Sequence, residues 1–439
     1  MKIETLKKSH LKRNIIIGVV TILIISAIIL NFTRAKYRVT QSIPLVNGTI
    51  NYSLADLNAV AIYVNGDNGY TKSDTIPESG YVLNKEESYC TVNGEEDTSI
   101  SVSYDVDTKS LSVTPMTTRG TKCYLYFDEQ LCTGEACNTI LANKTLATRT
   151  DFNNIVTEDT TGTIYYADTS KGRTYYFAGN PTDNWIYFAG FYWRIIRINE
   201  NGSLRLIYSG NNSSGPVTTG SETQIGTSAF NSLGGNNAYL GYMYTLDQTH
   251  GLSASSTIKE DLEDWYYNNV RNYADHIDED VGFCGDRSSY TDNSGTSSGG
   301  GTGKTTTYYG AYIRLITNKT PIFECPNNSD LYTTDRSSQG NQALDYPIGL
   351  ISADEVAYAG GREGSTNNEY YLYTGEDYWT ITPQNGGRYN YPFAVHSNGF
   401  LGDRGQTISG NGVRPVINLC ADVTIQSGNG TASNPYVVS

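Results

Sequence analysis

Residues able to do chemistry are few in this sequence, and most of those that cluster lack the setting their chemistry needs. Gly295-Thr296-Ser297-Ser298-Gly299 is spelled like a nucleophile elbow, yet that motif holds its serine on a turn between a strand and a helix, and neither flanks it here. Ser298 to Thr305 approximates a phosphate-binding loop through Gly303, Lys304 and Thr305. Ser298 stands where the first glycine of that loop belongs, and no apolar strand feeds it. Of the four histidines, His250, His276 and His396 follow the first forty residues, and none sits in a His-Glu-x-x-His zinc pattern. Asp275, Asp278, Glu279 and Asp280 crowd one short segment. They read as a solvated acidic turn, with calcium as the alternative because that ion takes hard oxygen ligands from loops. The sequence therefore nominates no catalytic residue and, calcium aside, no cofactor or metal.

The cysteines carry a different chemistry. Grouped by region, they pair as Cys90 with Cys123, Cys132 with Cys137 and Cys284 with Cys325, leaving Cys420 over. Disulfides suit an oxidising compartment. Isolated buried thiols are the alternative for each pair, and a metal site for Cys132 and Cys137, although no histidine lies near enough in sequence to complete tetrahedral zinc. Spacing alone does not fix the connectivity.

Charge and composition narrow the partners. A net charge of -14 and a pI near 4.8 exclude electrostatic capture of nucleic acid, which needs a positive surface to displace counterions from phosphates. Ile15 to Phe32 is an uncharged eighteen-residue run, long enough to span a bilayer as a helix. Lys2, Lys7, Lys8, Lys12 and Arg13 precede it, and Arg34, Lys36 and Arg38 follow. That bias predicts a single-pass anchor in a bacterial cell membrane, the N-terminus cytoplasmic and everything after Tyr37 outside. A cleaved signal peptide is the alternative and exports the same mass.

The elements that must position any site come next. Residues 1–36 form the expected tail and anchor, and 37–130 alternate short apolar and polar runs such as Val60 to Val64 and Tyr124 to Phe127. This predicts a small all-β, sandwich-like domain. Residues 131–154 read as a linker with a short helix, and 155–439 as the last domain. There, Trp185 to Ile198 and Leu204 to Tyr208 flank Asn201-Gly202, a hairpin signal. A helix is expected from Ile258 to about Tyr273, capped by Thr257 with Glu260, and a second after Ser352, boxed by Glu355 and stopped by Gly360-Gly361. Gly, Ser and Thr from 294 to 307 mark a surface insertion.

Tyr378-Trp379-Thr380-Ile381-Thr382-Pro383, a polar stretch, and then Gly412-Val413-Arg414-Pro415-Val416-Ile417-Asn418-Leu419 resemble the closing half of a C-type-lectin-like fold. The same closing pattern occurs in bacterial surface domains similar to the formylglycine-generating-enzyme superfamily and in retroelement-diversified variable proteins. Residues 186–208, 257–270 and 347–359 resemble the earlier parts, so the likeness spans about residues 160 to 438. It implies an α+β chain whose last domain is a compact mixed α/β unit. Trp379 and Arg414, with Trp193 and Trp265, are then framework, and the stretch between Trp379 and Arg414 is displayed. No Glu-Pro-Asn or Gln-Pro-Asp tripeptide occurs there, so calcium-dependent sugar binding is not implied. The paired copper-binding cysteines of the oxidase branch are not recognisable either.

The displayed stretch supplies the candidate ligand-binding residues Tyr378, Asn385, Arg388, Tyr389, Asn390, Tyr391, Asn398 and Arg404. Tyrosine offers rigid amphipathic contact area, and asparagine and glycine offer adaptable hydrogen bonding, as in paratopes. Tyr and Asn abound throughout the chain, so composition alone is the competing account. The resulting expectation is a membrane-anchored surface protein that binds a protein or glycan without catalysis. An extracellular enzyme with a concave, polar, pKa-shifted site and an envelope structural protein are the alternatives.

Overall fold

The structure, a computed structural model, describes residues 60–438 apart from 67–68, 78–80, 86, 106–109, 115–119, 130–131, 143, 291–306 and 387–388. The chain divides into two compact units after Gln130. Among the described residues, strand accounts for 37% and helix for 15%. The expected α+β class, with its mixed α/β last domain, is thereby corrected to mostly β. The helical signals are real but short: Thr257–Asn269 has thirteen residues and Ala353–Tyr358 only six.

A second correction concerns the membrane. Ile15 to Phe32 lies outside the described residues, and among the described residues no helix is long and apolar enough to cross a bilayer. Length and hydropathy can nominate a spanning run, but spanning needs one continuous helix that satisfies its own backbone. The single-pass anchor and the membrane localisation built on it are not supported.

In the first unit, a six-stranded sheet runs Gly69–Ser73, Val60–Gly66, Thr121–Glu129, Tyr89–Val92, Glu95–Glu96, and Tyr81–Leu83 also pairs with Thr121–Glu129. Side chains along a strand alternate faces. Cys123, Leu125 and Phe127 therefore enter the core with Cys90 and Leu111. Tyr124 and Tyr126 take the other face, where Tyr126 stacks on Tyr63 at 4.8 Å and Tyr124 on Tyr89 at 4.9 Å. Val60–Gly66 and Thr121–Glu129 are parallel, whereas Tyr89–Val92 is antiparallel to the latter and sets Cys90 opposite Cys123.

The second unit rests on a nine-stranded sheet. Its central strand, Phe191–Ile198, pairs with Trp185–Phe188, with Leu204–Asn211 and, at its end, with Gly172–Tyr176. The Asn201-Gly202 turn closes the hairpin, Gly202 taking a φ of 86° that glycine adopts without strain. Val416–Leu419 pairs with Leu204–Asn211, and so joins the closing segment to the hairpin. A six-stranded sheet holds Tyr378–Gly386 between Tyr391–Val395 and Gly410–Gly412, with Thr227–Ala229, Leu401–Asp403 and Thr307–Tyr308 at its margins. Thr257–Asn269 is capped one residue earlier than expected: the Ser256 hydroxyl accepts from the Lys259 amide. Ser352 and Glu355 do form a reciprocal capping box.

Three disulfides join Cys90 to Cys123, Cys132 to Cys137 and Cys284 to Cys325. Cys420 is a free thiol.

Candidate functional site

The stretch between Trp379 and Arg414 is largely sheet. Tyr391 to Val395 (Tyr-Pro-Phe-Ala-Val) is an apolar run that pairs on both sides, and Phe393, Ala394 and Val395 are fully buried. Burial also separates the candidate binding residues. Tyr378 is buried, its hydroxyl donating to the Leu372 carbonyl at 2.7 Å, with Arg414 over its ring. Asn390 is buried too and donates to the Asn236 carbonyl at 2.6 Å. These two are framework. Asn385 is half-buried and donates to Gln384. Asn398 is exposed and donates to Thr366, and the exposed Arg404 pairs with Asp377 at 2.8 Å. Arg388 lies outside the described residues.

Tyr389 and Tyr391 stand at the sheet margin with their rings 6.5 Å apart. Tyr389 is 44% exposed, and two other large apolar side chains are exposed on neighbouring segments, Leu233 at 47% and Ile408 at 53%. Hydrogen bonds tie the three segments together. Asn231 donates its amide to Thr407, the Thr407 amide donates to Asn390, and the Thr407 hydroxyl donates to the Leu233 carbonyl. A Cβ placed on Gly234 would stand 3.4 Å from the Ile408 Cγ2, so Ile408 lies against that loop. The result is an apolar face built from three parts of the chain.

The framework residues behave as the hydrophobic effect demands. Trp193 and Trp379 are fully buried, with their indole N–H groups donating to the Phe188 and Ser228 carbonyls. Trp265 is half-buried against Phe191, Trp193 and Tyr208. Arg414 has no carboxylate partner among the described residues; it donates to the carbonyls of Tyr208, Thr223 and Leu372.

Sequence reasoning missed a second site, a polar cleft of about 490 Å³ beside the Cys284–Cys325 disulfide. Its floor is an ion cluster. Glu355 Oε1 lies 3.2 Å from Arg197 Nε and 2.5 Å from Arg205 Nε. The Arg205 contact is off the N–H direction, so it is a charge pair and not an aligned hydrogen bond. Burial opposes ionisation of Glu355, but the charges of Arg205 and Arg197 outweigh it and hold its pKa below the usual range. Burial pushes Arg205 down to about 10, with Glu355 pulling it back up. At the rim, Asp280 is held ionised by the Ser337 hydroxyl and the Ser338 amide. The signal for the floor was present in sequence, since Arg197 and Arg205 flank the hairpin turn and Glu355 closes the capping box. What brought them together was the tertiary packing.

The acidic segment is spent internally. Asp278 accepts from Asn201, Glu279 from Thr334 and Arg336, and Asp280 from Ser337 and Ser338. Among the described residues, no group of three or more His, Cys, Asp or Glu converges as a metal site. The elbow-like and phosphate-loop-like motifs fall within 291–306, outside the described residues. No family model, curated protein or solved structure matches this chain.

Proposed function

We propose that the second unit is a non-catalytic binding module whose partner is a protein, engaged at the apolar face of Leu233, Tyr389, Tyr391 and Ile408. One observation carries the reading. Of the seven large apolar side chains exposed among the described residues, three (Leu233, Tyr389 and Ile408) lie on separate segments that hydrogen bonds hold together. Scattered exposed apolar residues need no explanation, whereas a contiguous group marks contact surface. Three disulfides are consistent with an extracellular setting. Kinship with C-type-lectin-like surface domains is part of the same reading and rests on the residues from Tyr378 to Pro383 and Gly412 to Leu419.

The polar cleft favours the enzymatic alternative by its shape but not by its protonation. Glu355 and Asp280 are both held ionised, and neither can donate a proton near neutral pH.

The test is an array of purified surface proteins and glycans, probed with the full chain and with a Leu233→Asp/Ile408→Asp variant. Both positions are exposed, so charges there leave folding intact. The reading requires a protein signal that falls about tenfold or more in the variant and survives Tyr267→Ser, an exposed aromatic elsewhere. Silence, glycan signals alone, or equal signals from wild type and variant would sink it.

A further inference from the structure

We propose that Cys284–Cys325 is a thiol-exchange site, opened by a small dithiol that enters the polar cleft, and that its reduction releases one wall of that cleft. The inference does not depend on the apolar face. It rests on which disulfide a thiolate can reach and on what else holds the wall.

A disulfide is reduced by a thiolate that attacks one of its sulfurs directly, so access decides which bond yields first. Cys90 and Cys123 are 1% and 0% exposed, in the core of the first unit. Cys137 is 0% exposed, and only Cys132 of that pair is half-buried. Cys284 and Cys325 are both half-buried, and both line the cleft of about 490 Å³. Of the three disulfides, this one alone borders that cleft with both of its cysteines, and the volume suits a small molecule.

The wall has few other restraints. Phe323 stacks on Tyr358 at 3.8 Å, and the Asn327 side-chain amide reaches His250 at 3.2 Å. Between these anchors, among the described residues, no backbone group of Glu324, Cys325 or Pro326 is hydrogen-bonded. The Glu324 carboxylate accepts from the Ser170 amide. The covalent tie is to Cys284, in the short strand Phe283–Cys284 that pairs with Leu331–Tyr332.

The entering thiolate bonds to one cysteine sulfur and expels the other as a thiolate. The reagent's second thiol then closes on its own bound sulfur and expels the first cysteine. The protein gains two electrons and two protons, and the dithiol leaves as a cyclic disulfide. Pairing of Phe283–Cys284 with Leu331–Tyr332 needs no disulfide, so the release is local.

The experiment treats the full, oxidised chain with dithiothreitol for graded times, quenches in acid, denatures, and labels new thiols for mass spectrometry. Cys420, free throughout, is the reference for complete labelling. Cys284 and Cys325 should appear together, about tenfold or more faster than the other pairs, with tryptophan emission still native. Glutamyl endopeptidase should then cut after Glu324 about tenfold faster than in the oxidised chain. Cys284→Ser/Cys325→Ser should be cut that fast without reductant. Earlier or simultaneous appearance of another pair, an unchanged cut at Glu324, or loss of native emission on reduction or in the double variant would each overturn the proposal.

Discussion

Glu355 offers the sharpest test of how the second unit is held together. Its side chain is 4% exposed, and those of Arg205 and Arg197 are 2% and 8% exposed, so Glu355→Gln leaves Arg205 in the interior without its paired carboxylate and Arg197 with Glu200 alone, 3.6 Å away. Removing one partner of a buried pair costs about 3–5 kcal/mol. The amide adds a geometric conflict. Glu355 Oε2 accepts the Ser352 amide at 2.9 Å while Oε1 faces both arginines, and a glutamine NH2 must oppose one or the other. A total near 4 kcal/mol follows, against about 1 kcal/mol for Ser352→Ala, which removes only the cap. All four tryptophans lie after Gln130, so urea unfolding followed by tryptophan emission reports this unit alone. Acid supplies a second check. The folded pKa of Glu355 lies below its unfolded value, so its contribution is complete above about pH 4.3 and is lost as pH falls through the folded pKa. The wild-type and Glu355→Gln curves must converge in acid. A loss under about 1 kcal/mol at pH 7, or a gap that persists on acidification, would refute the ion-cluster account.

Burial raises the Cys420 thiol to about 11, leaving roughly one thiolate in a thousand at pH 8. Iodoacetamide should label the native chain at Cys420 far more slowly than free cysteine, accelerating about tenfold per pH unit, and mass spectrometry reads the result. Replacing Cys90 and Cys123 by alanine should cost the first unit about 2–4 kcal/mol, seen in near-ultraviolet circular dichroism of its tyrosines with the tryptophan signal unmoved. Gly399 has a φ of 76°, and a Cβ there would stand 1.6 Å from the Asn367 carbonyl oxygen. Gly399→Ala should therefore lower the stability of the second unit by more than about 1 kcal/mol, measured in the same urea assay. Leu233→Asp, on exposed surface, should shift that midpoint by less than about 0.5 kcal/mol.

Local chemistry was the legible part of the fold. The Asn201-Gly202 hairpin, the Ser352–Glu355 box and the Cys132–Cys137 loop depend on neighbours in sequence, and each is visible there, whereas Cys90–Cys123 and Cys284–Cys325 span 33 and 41 positions and were paired only by region. Thr257 was read as the cap because Glu260 follows it by three, yet Ser256, followed by Lys259, caps the helix through its hydroxyl alone. The candidate site was less legible. Tyr378 and Asn390 share their composition with Tyr389, but whether a tyrosine points into the core or out of it depends on strand register, which composition does not carry. Leu233 and Ile408 drew no notice because their significance comes only from hydrogen bonds that bring their segments together with that of Tyr389, 156 and 19 positions away respectively. The cleft is the extreme case, a charge cluster drawn from a hairpin and a distant capping box.

The parallel pairing of Val60–Gly66 with Thr121–Glu129 has a mechanical consequence. Val60–Gly66 is the first described strand of this unit and Thr121–Glu129 the last, and the register runs from Val60 opposite Cys123 to Val64 opposite Phe127. The start of the first of these strands and the end of the second therefore lie at opposite ends of one ladder. Tension along the backbone would load its hydrogen bonds together in shear, whereas an antiparallel pair pulled from adjacent ends opens one bond at a time. Pulled from those two ends, this pair resists in shear, with Cys90–Cys123 locking the second strand to its other neighbour.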